Sequence, residues 1–148
     1  MTVKFYNANH SCKLKYAVIA AFYKGKYVFV RHKKRDTLEI PGGHWESGET
    51  IERTAERELF EETGAVRFTL EKICIYSVSG DDTRQSDETF GMLFYADIEE
   101  FGDMPESEIA EVRLLDSCPE NWTYPEIQPE LLNCVRKFLN GFSDNIDE

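Results

Sequence analysis

Residues 43–65 read GHWESGETIERTAERELFEETGA. Thr50 is placed to cap a helix running to about Thr63, and Gly64 stands where a left-handed residue closes one. Within that helix Glu58, Glu61 and Glu62 stand three and four positions apart, so at 3.6 residues per turn they share one face. Like charges at this spacing repel by about 0.2–0.5 kcal/mol per pair on a solvated helix, and by more once desolvated. An acidic face by itself is more often plain solvated surface. The sharper reading is a cation held among the carboxylates. Oxygen ligands on a rigid helix suit Mg²⁺ or Mn²⁺, and the helix has no Cys or His of the kind zinc favours.

On the N-terminal side, residues 16–23 (YAVIAAFY) and 26–31 (KYVFVR) are strand-length apolar runs separated by Lys24-Gly25, which predicts a hairpin. A basic cluster follows (Arg31, His32, Lys33, Lys34, Arg35), then the short segment 38–40 and Pro41-Gly42-Gly43, read as a tight loop. On the C-terminal side, segments 66–79 and 89–98 form a long hairpin across the polar loop 80–88, and a further strand spans 109–115. Leu131, Leu132, Val135, Phe138 and Leu139 keep helical spacing, with Pro129 near the start and Gly141 past the end, so a second helix is expected there. Strands interleaved with two helices make a mixed α/β (α+β) domain.

The 148 residues fit one domain, taken as 1–142, with 143–148 an acidic tail. With 41% apolar and 13% aromatic residues the chain has material for a core. A formal charge of −11 repels phosphate backbones and anionic lipid, so polymeric nucleic acid and membrane are not expected as partners. Cys12, Cys74, Cys118 and Cys134 form no CxxC pair and read as reduced thiols. No stretch resembles a signal peptide or membrane span, so a cytoplasmic location is expected.

The string at 43–65 resembles the Nudix box, Gx5Ex7REUxEExGU with U a bulky aliphatic residue. All seven fixed positions match (Gly43, Glu49, Arg57, Glu58, Glu61, Glu62, Gly64), and Leu59 supplies the first aliphatic. At about one residue in fifteen per type, seven chance matches are on the order of one in a hundred million. The last aliphatic position holds Ala65, and Val66 beside it is expected to restore the missing bulk.

The resemblance implies an α/β/α sandwich around a mixed sheet, with the box forming loop, helix and loop. It implies Mg²⁺-dependent (or Mn²⁺-dependent) hydrolysis of a nucleoside diphosphate linked to another group X. Glu58, Glu61 and Glu62 then bind metal, with the Gly42 carbonyl as a further ligand, while Glu49 and Arg57 lock the loop onto the helix. The general base is Glu58, or Glu106 or Glu108 in the loop before the late strand. Arg31, Lys33 and Arg35 are placed to grip phosphates. Tyr124 is placed to stack on a base, while Trp122 reads better as a partly buried core aromatic.

The substrate expected first is a nucleoside triphosphate such as (oxidised) dGTP, although the asparagine that the MutT type uses for an oxidised guanine is not evident. ADP-ribose, nucleotide sugars and dinucleoside polyphosphates are alternatives. A non-catalytic nucleotide-binding module is disfavoured by the intact REUxEE set, and an isoprenoid-diphosphate isomerase by the scattered Cys and His residues. Many members of the family dimerise, which leaves a homodimer open.

Overall fold

A computed structural model describes residues 1–80 and 88–141. The tail at 143–148 and residues 81–87 of the polar loop lie outside the described residues. The elements run β1 (Thr2–Tyr6), β2 (Leu14–Tyr23), β3 (Lys26–His32), β4 (Gly42–His44), α1 (Ile51–Thr63), β5 (Ala65–Ser79), β6 (Thr89–Phe101), β7 (Ile109–Leu115) and α2 (Gln128–Leu139). They build one mixed sheet in the order β1-β5-β6-β2-β3-β7, with β4 paired to β2.

The β2–β3 hairpin forms as expected, because Lys24 (φ 50°) and Gly25 (φ 81°) supply the two positive φ angles that a tight turn of this hand needs. Its pairing is brief, covering Phe22↔Tyr27 and Tyr23↔Lys26. Beyond that the strands part. β2 runs parallel to β6 from Leu14↔Phe90 to Tyr23↔Ile98, and β3 turns to β7.

The split frees one edge of β2 for Gly42–His44, which pairs antiparallel through Tyr16↔His44, Ala17↔Gly43 and Val18↔Gly42. The stretch read as a tight loop is therefore partly a strand. Glycine is required there, since a Cβ on Gly42 would stand 2.7 Å from the Ala17 carbonyl oxygen. β1 was not foreseen. It pairs with β5 from Thr2↔Ser79 to Tyr6↔Ile75 and turns Val3 and Phe5 toward the core.

Period-two alternation gives the sheet two apolar faces. Ala17, Ile19 and Ala21 of β2, with Met92, Phe94, Ala96 and Ile98 of β6, pack against Ala55 and Leu59 of α1. Ala20 and Leu93 face the other way, onto Leu131, Leu132 and Val135 of α2. The result is the expected sandwich, one helix on each face. Ala65 is fully buried, whereas Val66 is half exposed and lies over Gly102, so it does not fill in for the small residue. Strand alternation explains this: consecutive β5 residues point to opposite sides. Among the described residues no helix is long and apolar enough to cross a membrane. The four cysteines are free, with Cys74 Sγ 3.7 Å from Cys134 Sγ between β5 and α2.

Candidate active site

The loop before α1 is fastened to the helix by one carboxylate and one guanidinium. Thr50 caps the helix, its hydroxyl accepting from the Arg53 amide at 3.1 Å. Arg57, two turns on, donates through Nε to Glu49 Oε2 (2.6 Å) and through Nη2 to Glu49 Oε1 (3.1 Å). The same Nη2 reaches the His44 carbonyl at 3.0 Å, and the Thr54 hydroxyl donates to Glu49 Oε1 at 2.7 Å. These bonds to the charged form, Arg57 foremost, hold the Glu49 carboxyl down to about 2, against the cost of its partial burial. Glu49 and Arg57 thus join the loop before α1 to the helix.

The REUxEE carboxylates meet a different environment. Glu58 presses against Gly43 so closely that a Cβ there would overlap its carboxylate. Burial raises its pKa, Arg57 Nη1 at 2.8 Å lowers it, and the Glu61 and Glu46 charges raise it again. Glu62 has a side chain only 11% exposed. Burial pushes its pKa up to about 8; the Gly42 amide, donating at 3.0 Å, opposes that shift, and the nearby Glu58, Glu39 and Glu61 charges add to it. Glu61 is more open, its side chain 47% exposed and 3.4 Å from Arg57 Nη1.

Two residues join this cluster that sequence reasoning missed. Glu39, buried between Leu38 and Ile40, accepts from Arg35 Nη1 at 3.0 Å and lies 3.2 Å from His32 Nε2. His32 Nε2 is also 3.8 Å from Glu62 Oε2. An acid flanked by two apolar residues in LEIPGG was the available signal.

The carboxylates of Glu39, Glu58 and Glu62 are hard oxygen donors, largely desolvated, which is the donor chemistry that a divalent magnesium-type cation satisfies. Among the described residues no three acids, histidines or cysteines form a ready metal cluster. Arg57 holds Glu58 and Glu61 to its own side.

A cavity of about 400 Å³ adjoins the acids, with His32, Arg35, Glu39, Gly42, Gly43 and His44 among its lining residues. Tyr16, Tyr76, Tyr124, Gln128 and Leu131 also line it. Of the expected phosphate and base contacts, Arg35 and Tyr124 line the cavity and Arg31 and Lys33 do not. Arg31 pairs with Glu111 at 3.1 Å and with the Arg35 carbonyl. Lys33 is exposed, its amide bonded to the Glu108 carbonyl. Glu106 and Glu108 are exposed and outside the lining. Trp122 is half-buried and packs edge-on to Phe29, as a core aromatic.

A mixed-sheet sandwich thus sets a capped acidic helix against a glycine strand. The NUDIX domain model matches residues 13–133, and the chain belongs to that family. It is 35% identical over 100 residues to the ADP-ribose pyrophosphatase of Bacillus subtilis (strain 168), covering 65% of this chain and 54% of the relative. The match thus spans about half of the relative's length. Its fold is similar to that of a mutant of the Bacillus subtilis pyrophosphohydrolase BsRppH, with a TM-score of 0.76 at 24% identity over 92% of this chain and 90% of the other. A UDP-X diphosphatase gives a TM-score of 0.67 at 21% identity, covering 90% and 66%.

Proposed function

We propose that this chain is a divalent-metal-dependent pyrophosphohydrolase whose substrate is a nucleoside triphosphate. One observation carries the reading: the buried Glu62 carboxylate meets Gly42 and His32, which line a cavity together with Glu39, three tyrosines and the Gln128 amide, so phosphate chemistry and a nucleoside-sized space adjoin. Glu58, Glu61 and Glu62 would hold Mg²⁺ or Mn²⁺, with the Gly42 carbonyl as a further ligand. The bound ion would neutralise the diphosphate and make a water acidic enough to attack phosphorus.

The chain's own residues do the rest. Arg57 orients Glu58 and ties the 44–49 loop to α1 through Glu49. Arg35, braced by Glu39, presents a cation to the cavity for a phosphate. Of the acids considered as general base, Glu58 packs against Gly43, which lines the cavity, while Glu106 and Glu108 are exposed on the loop before β7, so the role is assigned to Glu58. Tyr124, 39% exposed, offers a ring for the base.

A substrate panel with product identification tests this. Release of pyrophosphate and a nucleoside monophosphate from GTP, dGTP or 8-oxo-dGTP is the expected result. The second reading is ADP-ribose hydrolysis, which the identity to the Bacillus subtilis enzyme favours. AMP and ribose 5-phosphate from ADP-ribose, with the triphosphates untouched, would establish it over the first.

A further inference from the structure

We infer that Gln128 makes the cavity selective for purines that carry an oxygen, rather than an amino group, at position 6. This rests on the nucleotide reading above and adds to it the face of the base that is read. Gln128 opens α2, is 5% exposed and lines the cavity. Its Oε1 accepts a hydrogen bond of 2.9 Å from the Ile40 amide, at the end of the segment that leads into the glycine strand.

That contact fixes which way the side-chain amide faces. A backbone N–H only donates, so the atom it meets is the oxygen, and the amide nitrogen is left with two hydrogens to place. Turning the group over would set donor against donor at Ile40 and leave a buried N–H unpaired. Among the described residues no protein acceptor meets the Gln128 nitrogen, yet no sealed-in side-chain nitrogen or oxygen lacks a partner. The nitrogen therefore opens on the cavity, as a donor that cannot become an acceptor.

A purine held between the cavity walls presents position 6 either as a carbonyl oxygen or as an amino group. The carbonyl accepts from Gln128; the amino group opposes it donor to donor. The Tyr76 hydroxyl, on a side chain 5% exposed in the same lining, can donate or accept and so does not discriminate.

The test compares kcat/KM for GTP, ITP and ATP with Mg²⁺, together with equilibrium binding of IMP and AMP. ITP lacks the 2-amino group of GTP and isolates the oxygen. The expected result is a preference of about 10–100-fold for both GTP and ITP over ATP, and the same order for IMP over AMP. Gln128→Glu keeps an acceptor for Ile40 and loses both donors. Assayed at a pH where that carboxyl is ionised, it should melt below the parent because a charge is buried, while the preference shrinks to within about twofold.

Equal use of ATP and ITP by the parent, or an undiminished preference in Gln128→Glu, overturns the inference and leaves the triphosphate reading intact. If no triphosphate is hydrolysed but IMP binds ahead of AMP, the base-reading role stands and the triphosphate reading falls. Should Gln128→Glu fail to fold, the parent's own ratios still decide.

Discussion

Glu49 and Glu62 belong to the same loop-and-helix segment, yet their surroundings drive them in opposite directions. Glu49 sits in a fork of Arg57 nitrogens with Thr54 behind it, and its carboxyl is held at about 2. Glu62 is buried among Glu58, Glu39 and Glu61, and its carboxyl rises to about 8. The first carboxylate is compensated within the chain and fixes the loop. The second is desolvated among other carboxylates with no guanidinium partner among the described residues, an arrangement that a cation would relieve.

The largest expected effect comes from breaking the side where carboxylates crowd together. Glu62→Gln should lower kcat by on the order of 10³-fold, since a metal's share of transition-state stabilisation is several kcal/mol. The same change should stabilise the metal-free protein at pH 8, because it removes a buried charge. A thermal melt in chelator beside an activity assay checks both arms. Gly43→Ala comes next: its Cβ displaces the Glu58 carboxylate, and misplacement of about 1 Å costs roughly 10²-fold in rate. Breaking the lock with Glu49→Gln should cost about 10–100-fold in activity, as loss of a ligand-orienting partner does, and lower the melting temperature.

The two carboxylates also predict opposite pH dependences in the metal-free protein. Glu49 has its folded value depressed below the ordinary 4.5, so its contribution is present above that pH and is lost as pH falls toward 2. Glu62 has its folded value raised, so stability is fullest below about pH 4.5 and declines as pH climbs through 8. Melting curves across pH should lose the alkaline decline in Glu62→Gln and the acid-side contribution in Glu49→Gln. The smallest effect is Gly64→Ala. Gly64 has φ 79° and closes α1 by donating to the Phe60 carbonyl, so alanine there costs about 1 kcal/mol of stability and leaves the lock and the acids in place.

The helix and its acidic face were legible because both are local: Thr50, the 3–4 spacing of the glutamates and Gly64 act within a few turns of chain. Much of the sheet was legible for the same reason, each strand carrying its own alternation. What escaped depends on contacts between distant segments. β4 exists because β2 and β3 separate after two pairs and leave an edge open, which no feature of Pro41-Gly42-Gly43 announces. Glu39 and His32 meet because a bridge between Val30 and Glu39 folds the chain back on β3. Gln128 lies 88 positions from Ile40, and only the sandwich brings them together. Arg31 looked like a phosphate ligand by its place in a basic run, but strand pairing sets it beside Glu111.

The central claim, which belongs to the proposed function, is that Glu58 and Glu62 bind a divalent cation. The direct measurement is the thermal midpoint at pH 8 as Mn²⁺ is titrated, for the parent protein and for Glu62→Gln. The account predicts that the parent gains about 2.7 kcal/mol when Mn²⁺ reaches a hundredfold excess over its dissociation constant, and that Glu62→Gln gains little. A parent midpoint indifferent to Mn²⁺, or an equal gain in the variant, would contradict it.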